Sequence, residues 1–311
     1  MARSRFVGDA GLTARMTTVM FLLGALFVAL VVGLALAVGS GFGSGFGILI
    51  GLAGIGVAIY QWANSDKVAM RAMRAREVTP EQAPELHGMI DRLCALADMP
   101  KPRVGVADTP VPNAFATGRS PERSVVCVTT GILGMLTAEE LEGVLAHELS
   151  HVAHRDVLVM TVASSAGIAA GMLGQGARFG AFGFFGGGRR DNNSGGLPVW
   201  LVVLLFSLAV YAVSFVLLRL LSRYRELAAD RAGAYLTMRP DALASALQKI
   251  TGGINQIPQR DLRQVSAASA LCIAPAIGGV SLRTLTSTHP SLEQRLEQLA
   301  RIQAELSRPS A

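Results

Sequence analysis

His147-Glu148-Leu149-Ser150-His151 sets two histidines four residues apart, with a glutamate beside the first. On a helix that spacing is an offset of about 40° and a rise of about 6 Å, so both imidazoles share one face. At that separation they can close on one zinc ion at about 2.0–2.1 Å. The adjacent Glu148 can then serve as general base for a water that the metal polarises. With five histidines and twelve glutamates in 311 residues, about 0.003 such matches are expected by chance. The competing reading is a polar patch on an ordinary helix.

The flanking residues support a helix. Thr137-Ala138-Glu139-Glu140 fits a capping box, with Thr137 as N-cap and Glu140 reaching back. Leu141, Val144, Leu145 and Val152 form an apolar stripe at helical spacing. Gly143, four residues before His147, is expected to leave the metal face open, at a propensity cost of about 1 kcal/mol relative to alanine.

A catalytic zinc takes three protein ligands and keeps one open position. The metzincin extension needs glycine and histidine where this chain has His154 and Val157, which excludes that class. His154 shares the stripe but lies about 10 Å along the axis from His147, which suits a structural or outer role. The expected third ligand is Glu226, in Ser222-Arg223-Tyr224-Arg225-Glu226-Leu227-Ala228-Ala229-Asp230. Glu226 and Asp230 are like charges four apart on one helix face, a repulsive arrangement. A metal on Glu226, with Asp230 orienting a ligating histidine, resolves it. The alternative is a charged face solvated by Arg223 and Arg231.

The paired motifs resemble the HtpX family of membrane-embedded zinc metallopeptidases, in the gluzincin clan. Further matching stretches are Pro112-Asn113-Ala114-Phe115-Ala116-Thr117-Gly118, the glycine-rich Phe185–Asn193 loop and Ser287-Thr288-His289-Pro290-Ser291. The resemblance covers essentially the whole chain in consistent order. It implies a substrate-binding role for Asn113, Ala114, Phe115 and Ala116, an edge strand pairing with an extended peptide through its main chain. The strand reading alone makes this stretch one arm of a hairpin. The resemblance also implies that His289 lies near the zinc, where it can donate to the oxyanion or block the open position. The local alternative has Pro290 as first residue of the last helix, with His289 merely preceding it.

Composition fits a membrane enzyme: 51% of residues are hydrophobic, 16% charged, and the mean hydropathy is +0.43. About 20 apolar residues cross a bilayer. Met16–Val38 is long enough, Ile48–Ala63 is shorter, and Pro198–Leu221 is the strongest candidate. Val157–Leu173 is diluted by Thr161, Ser164, Ser165 and glycines, and its alternative is a helix buried in protein or lying shallowly in the membrane. Arg3, Arg5 and Ala35-Leu36-Ala37 mimic a cleaved signal peptide, but the long apolar run reads as an uncleaved anchor.

Arg3, Arg5 and Arg15 precede the first span, and Lys67, Arg71, Arg74 and Arg76 follow the second. The positive-inside rule therefore sets both ends of the hairpin, and the catalytic helix after it, in the cytoplasm. Arg219, Arg223 and Arg225 agree, while Arg178, Arg189 and Arg190 fall in a loop this topology puts outside. The net charge of +6 suits anionic lipid, and no aromatic-basic pattern points to nucleic acid.

Cys94, Cys127 and Cys272 lack C-x-x-C spacing and read as reduced, non-ligating residues. His87 reads as a surface histidine on the Pro84–Ala97 helix. Short strands are expected at Val104–Ala107, Ala114–Thr117 and Ser124–Thr129, and further helices at Arg223–Leu236, Asp241–Ile250 and from Ser291 to about Leu306.

The expected fold is thus an α+β membrane protein: a mainly helical zincin-type metallopeptidase domain with a small sheet, plus about four transmembrane helices. Residues 1–66 form one membrane hairpin, 67–156 the first half of a cytoplasmic catalytic domain, 157–221 a second hairpin and 222–311 the second half. The expected protein is a zinc metalloendopeptidase of a prokaryotic inner membrane, multi-pass, holding one Zn2+ per chain on His147, His151 and Glu226. The resemblance implies misfolded or damaged membrane proteins as substrates. A CAAX-prenyl-protease-like peptidase and a catalytically silent zinc-binding scaffold remain as alternatives. Intact Glu148 favours an enzyme, because a structural site needs no general base.

Overall fold

The computed structural model describes residues 10–38, 52–53, 55–57, 59–60, 62–161, 199–256 and 289–308. The chain divides into two compact units. One comprises Met1–Arg15, Trp62–Leu158 and Ser222–Ala311, the other Met16–Gln61 and Val159–Leu221. The protein is mostly helical, with one small mixed sheet.

In the first unit, α2 (Ser65–Ala72) leads into β1 (Ala75–Glu77), a short strand absent from the sequence expectation. Its three residues alternate too briefly to register as a pattern, and it exists by pairing antiparallel with β2 (Arg103–Ala107). Between them lies α3 (Pro84–Ala97), opened by proline in its first turn and ended by Asp98 in the left-handed region at φ 50°. β3 (Ala114–Ser120) and β4 (Arg123–Thr129) follow as a hairpin. The sheet order is β1-β2-β4-β3, with β2 and β4 parallel. β4 has neighbours on both sides, and Ser124–Thr129 are buried throughout. The Thr129 hydroxyl accepts from Asn113 N at 2.9 Å and from Ile132 N at 3.2 Å, so one side chain pins the start of β3 and caps α4 (Thr130–Met135).

The catalytic-motif helix is α5 (Ala138–Ala153), and both halves of the Thr137–Glu140 capping box are present. Its buried stripe of Val144, Leu145 and Leu149 joins Ile90 and Leu93 of α3, Val126 of β4, and Leu243, Leu247 and Ile250 of α7 (Pro240–Gln256) in one core. α8 (Leu292–Leu306) adds Leu299 and Ile302. Gly143 serves this core and not the metal face. A methyl there would sit 3.3 Å from the backbone of Leu243, so the glycine lets α7 approach α5 closely. His87 also differs from its surface reading. It is buried, and its Nε2 lies 3.0 Å from the Val78 carbonyl, a partner supplied by the chain before the helix.

The second unit contains most of α1 (Ala10–Val38) and the first part of α6 (Val199–Thr237). Among the described residues, two helices are long and apolar enough to cross a membrane: Thr13–Leu30 within α1 and Leu204–Thr237 within α6. Their apolar side chains face outward, Phe21 being 74% exposed and Leu208 59%. The expected spans Ile48–Ala63 and Val157–Leu173 lie partly outside the described residues, and the Phe185–Asn193 loop, Cys272, Ser287 and Thr288 lie wholly outside them. The expected break between a span ending at Leu221 and a separate Arg223 helix is absent. α6 is one helix of 39 residues. Between Val199 and Ala232 it contains no proline or glycine, so the change from apolar to charged residues alters its surroundings without ending it.

Candidate active site

His147 and Glu148 are buried on α5, and His151, one turn on, is partly buried. α6 crosses this helix closely. A methyl on Gly233 would come within 2.9 Å of the His147 backbone nitrogen, so glycine there is what lets Glu226 and Asp230 reach the histidines. His147 Nε2 lies 3.3 Å from His151 Nε2 and 3.6 Å from Glu226 Oε2, and His151 Nε2 lies 3.5 Å from Glu226 Oε1. The two rings meet edge to face at 89°.

Each histidine is committed through its other nitrogen. His147 Nδ1 donates to Asp230 Oδ1 at 2.9 Å, and Arg295 of α8 grips both oxygens of that carboxylate, Nε to Oδ2 at 2.7 Å and Nη2 to Oδ1 at 2.6 Å. His151 Nδ1 donates to Asp156 Oδ2 at 2.6 Å, and the same oxygen accepts from Arg225 Nη2 at 2.8 Å. With both Nδ1 atoms spent as donors, both Nε2 atoms turn toward each other and toward a carboxylate, an arrangement that calls for positive charge between them. In a tetrahedral site with bonds of about 2.05 Å, ligand atoms stand about 3.35 Å apart, close to the 3.3, 3.5 and 3.6 Å found here. One donor atom each from His147, His151 and Glu226 falls within a mutual 4.8 Å, so the three fit a zinc ion. Burial works against a charge on His147, but the Asp230 and Glu226 carboxylates outweigh it and push its pKa up to about 9. The site thus demands a cation, whether proton or metal.

Glu148 points to the sheet. Its Oε2 accepts from Ala116 N of β3 at 3.0 Å, and burial raises its carboxyl pKa above the ordinary range. β3 is the edge strand, as expected, but Asn113, Ala114 and Phe115 are buried and only Ala116 is half-buried. Their side chains fill the cores on either face of the sheet, Ala114 in one and Phe115 in the other. His289 is buried with Nδ1 3.1 Å from Glu226 Oε2. The local account of Pro290 as first helical residue does not hold, because Ser291 is the N-cap and its hydroxyl accepts from Gln294 N at 3.2 Å. His154 stands at the C-cap of α5, away from the cluster of donor atoms.

No site role is legible in the sequence for Asp156 or Arg295, and Arg225 reads there only as a charge flanking a membrane span. Asp156, five residues beyond His151, lies past the end of α5, where helical spacing gives no signal.

A profile of peptidase family M48 matches residues 80–303. The chain is 52% identical over 310 residues to "Protease HtpX homolog 1" of Streptomyces coelicolor, covering 99% of this chain and 98% of the relative. It is 49% identical over 305 residues to "Protease HtpX homolog" of Moorella thermoacetica, covering 98% of each. "Protease HtpX homolog 2" of Methanosarcina acetivorans is 48% identical over 299 residues, 96% of this chain and 98% of the relative. Among solved structures, S. mikatae Ste24p superposes with a TM-score of 0.54 at 17% identity, a likeness of fold alone. It covers 92% of this chain, and the chain spans 65% of that protein's length.

Proposed function

Since the chain belongs to peptidase family M48 and is a membrane metallopeptidase, we propose that it is a zinc endopeptidase acting on misfolded or damaged membrane proteins. One zinc per chain is held by His147, His151 and Glu226. The single observation that carries this reading is the convergence of two Nε2 atoms, 3.3 Å apart, on the two oxygens of the Glu226 carboxylate at 3.6 and 3.5 Å while both Nδ1 atoms are engaged elsewhere. When bound, zinc supplies a Lewis acid that polarises the scissile carbonyl and makes a water acidic enough to attack near neutral pH.

The remaining chemistry belongs to side chains. Glu148 receives the proton of the attacking water and passes it to the departing amine, a transfer its raised pKa favours. Its bond to Ala116 N ties this base to the strand that receives substrate, so an extended peptide pairing along Asn113–Ala116 is held beside the proton acceptor. His289, beside Glu226, donates to the carbonyl oxygen as charge develops there. Asp230 and Asp156 hold the two histidines in the tautomer that leaves Nε2 for the metal. Residues 1–66 and 157–221 form two membrane hairpins, four spans in all, and 67–156 with 222–311 form a catalytic domain facing the cytoplasm, the side that the flanking arginines and lysines favour.

Glu148→Gln tests the chemistry: zinc content stays at one per chain while cleavage of casein or of an unfolded membrane protein falls about 10²–10⁴-fold. Normal cleavage by that variant removes Glu148 as base. Glu226→Gln should lower zinc content, and unchanged content removes Glu226 as ligand.

A further inference from the structure

We propose that a cavity of about 400 Å³ beside the N-terminus of α2 binds the phosphate headgroup of an anionic phospholipid. It is lined by Lys67, Arg103, Arg119 and Arg123, with Asp66 and Glu122. Arg103 is neutralised by ion pairs with Asp66 and Glu77. Lys67, Arg119 and Arg123 form no ion pair among the described residues, which leaves three free cations against Glu122. That surplus, in a hollow within the usual size of ligand sites, suits a phosphate.

The placement of these cations is what ordinary membrane topology does not account for. The positive-inside rule explains basic residues close in sequence to a span, such as Lys67. It has no bearing on Arg119 and Arg123, which lie at the β3–β4 turn some fifty residues later. They reach Lys67 because Ala69 of α2 and Met73 at its C-cap are buried against Phe115 of β3 and Cys127 of β4. Ala63, which closes the stretch Ile48–Ala63, and Asn64 after it also line the cavity. The proposal rests on the reading of that stretch as a membrane span. A hollow at the end of a span, carrying three cations, is positioned for a lipid headgroup. Arg119 is three residues from Ala116, whose N–H is held by Glu148, so occupancy bears on the same strand as the catalytic base.

The test uses the full chain with Trp200→Phe, which leaves Trp62 as its one tryptophan. In nanodiscs containing brominated phosphatidylcholine, quenching of Trp62 reports whether the end of this stretch lies at the bilayer. In detergent, calorimetric titration with short-chain phosphatidylglycerol, with phosphatidylcholine of equal chain length and with inorganic phosphate reports the ligand. We expect saturable phosphatidylglycerol binding, weakened about fivefold by each of Lys67→Gln, Arg119→Gln and Arg123→Gln and kept by Lys67→Arg. Equal binding of the two lipids, or a triple-glutamine variant that binds phosphatidylglycerol like the parent, overturns the proposal. Phosphate binding as tightly as phosphatidylglycerol overturns the lipid as its source. Unquenched Trp62 overturns the span reading and with it the site. Quenched Trp62 without lipid preference overturns the headgroup site and leaves the span standing.

Discussion

The two metal-facing histidines are held by the same three kinds of group in different settings. His147, Asp230 and Arg295 are all buried, come from three helices far apart in sequence, and share a two-pronged arginine–carboxylate contact. His151 and Asp156 are five residues apart, and Arg225 meets only the oxygen that His151 already uses. Among the described residues Asp156 Oδ1 accepts no hydrogen bond, and the His151 and Arg225 side chains are each 11% exposed. The first brace joins α5, α6 and α8, so it acts on the whole fold. The second fixes one imidazole and acts mainly on metal affinity.

The largest expected effect breaks the first brace. Arg295→Met leaves Asp230 charged, buried and without its guanidinium, at a cost of about 3–5 kcal/mol. Denaturant unfolding of the zinc-depleted protein measures it, and Arg295→Met with Asp230→Leu should recover most of the loss. A single-variant cost below about 1 kcal/mol would make the two braces equivalent. In the second brace, Asp156→Asn keeps the fold and lowers zinc affinity about 10–100-fold, read by chelator competition. If Asp156→Asn instead unfolds the protein while leaving zinc affinity unchanged, the division of labour is reversed.

Glu140 is the control, a buried acid outside both braces. Burial opposes its charge, but Lys249, Ser245 and the Thr137 N–H prevail and bring its pKa from 4.5 down to about 2. A depressed acid stabilises the folded state at pH values above its unfolded pKa. That contribution is complete above about pH 5 and disappears as pH falls from 4.5 through about 2. Glu140→Gln should therefore cost about 1–3 kcal/mol at pH 7, nearly nothing at pH 2, and leave zinc affinity unchanged. A pH-independent cost would assign the effect to packing. The smallest effect concerns two thiols for which burial is the main cause. Burial pushes the Cys127 thiol up to about 12 and, with Asp91, the Cys94 thiol up to about 11. Iodoacetamide at pH 8 should leave both unmodified in the folded protein and alkylate both after unfolding. Rapid labelling of either would show that its part of the core opens.

The histidine pair, its capping box, the three main strands and the carboxylate on α6 were legible because each is local: a spacing, a cap or an alternation. Arg295 was not. In Leu292–Leu306 it sits among glutamates and glutamines that look like a solvated face, and its burial follows from where α8 packs against α6. Asp156 follows the helix end, where periodicity no longer applies. The continuity of α6 is hidden because a change of polarity resembles a change of structure, and the role of Gly143 is hidden because its neighbour, Leu243, is a hundred residues away. The two membrane-compatible helices were found by composition, which needs no tertiary information.

The order in which the site is synthesised has its own consequence. His147 and Glu148 are polymerised early, Glu226 79 residues after His147, and Arg295 69 residues after that. At roughly 5–20 residues per second, the ribosome takes on the order of 10 s to go from the first ligand to the arginine that fixes it. Until Glu226 is made the emerging chain carries the general base without its third metal ligand, and from Glu226 to Arg295 it carries the ligands without the brace on His147. The brace on His147 is thus the last part of the site to be made, and its contribution to metal affinity waits for α8. A circular permutant that makes α8 first would lose that delay, and earlier zinc retention by stalled nascent chains would reveal it.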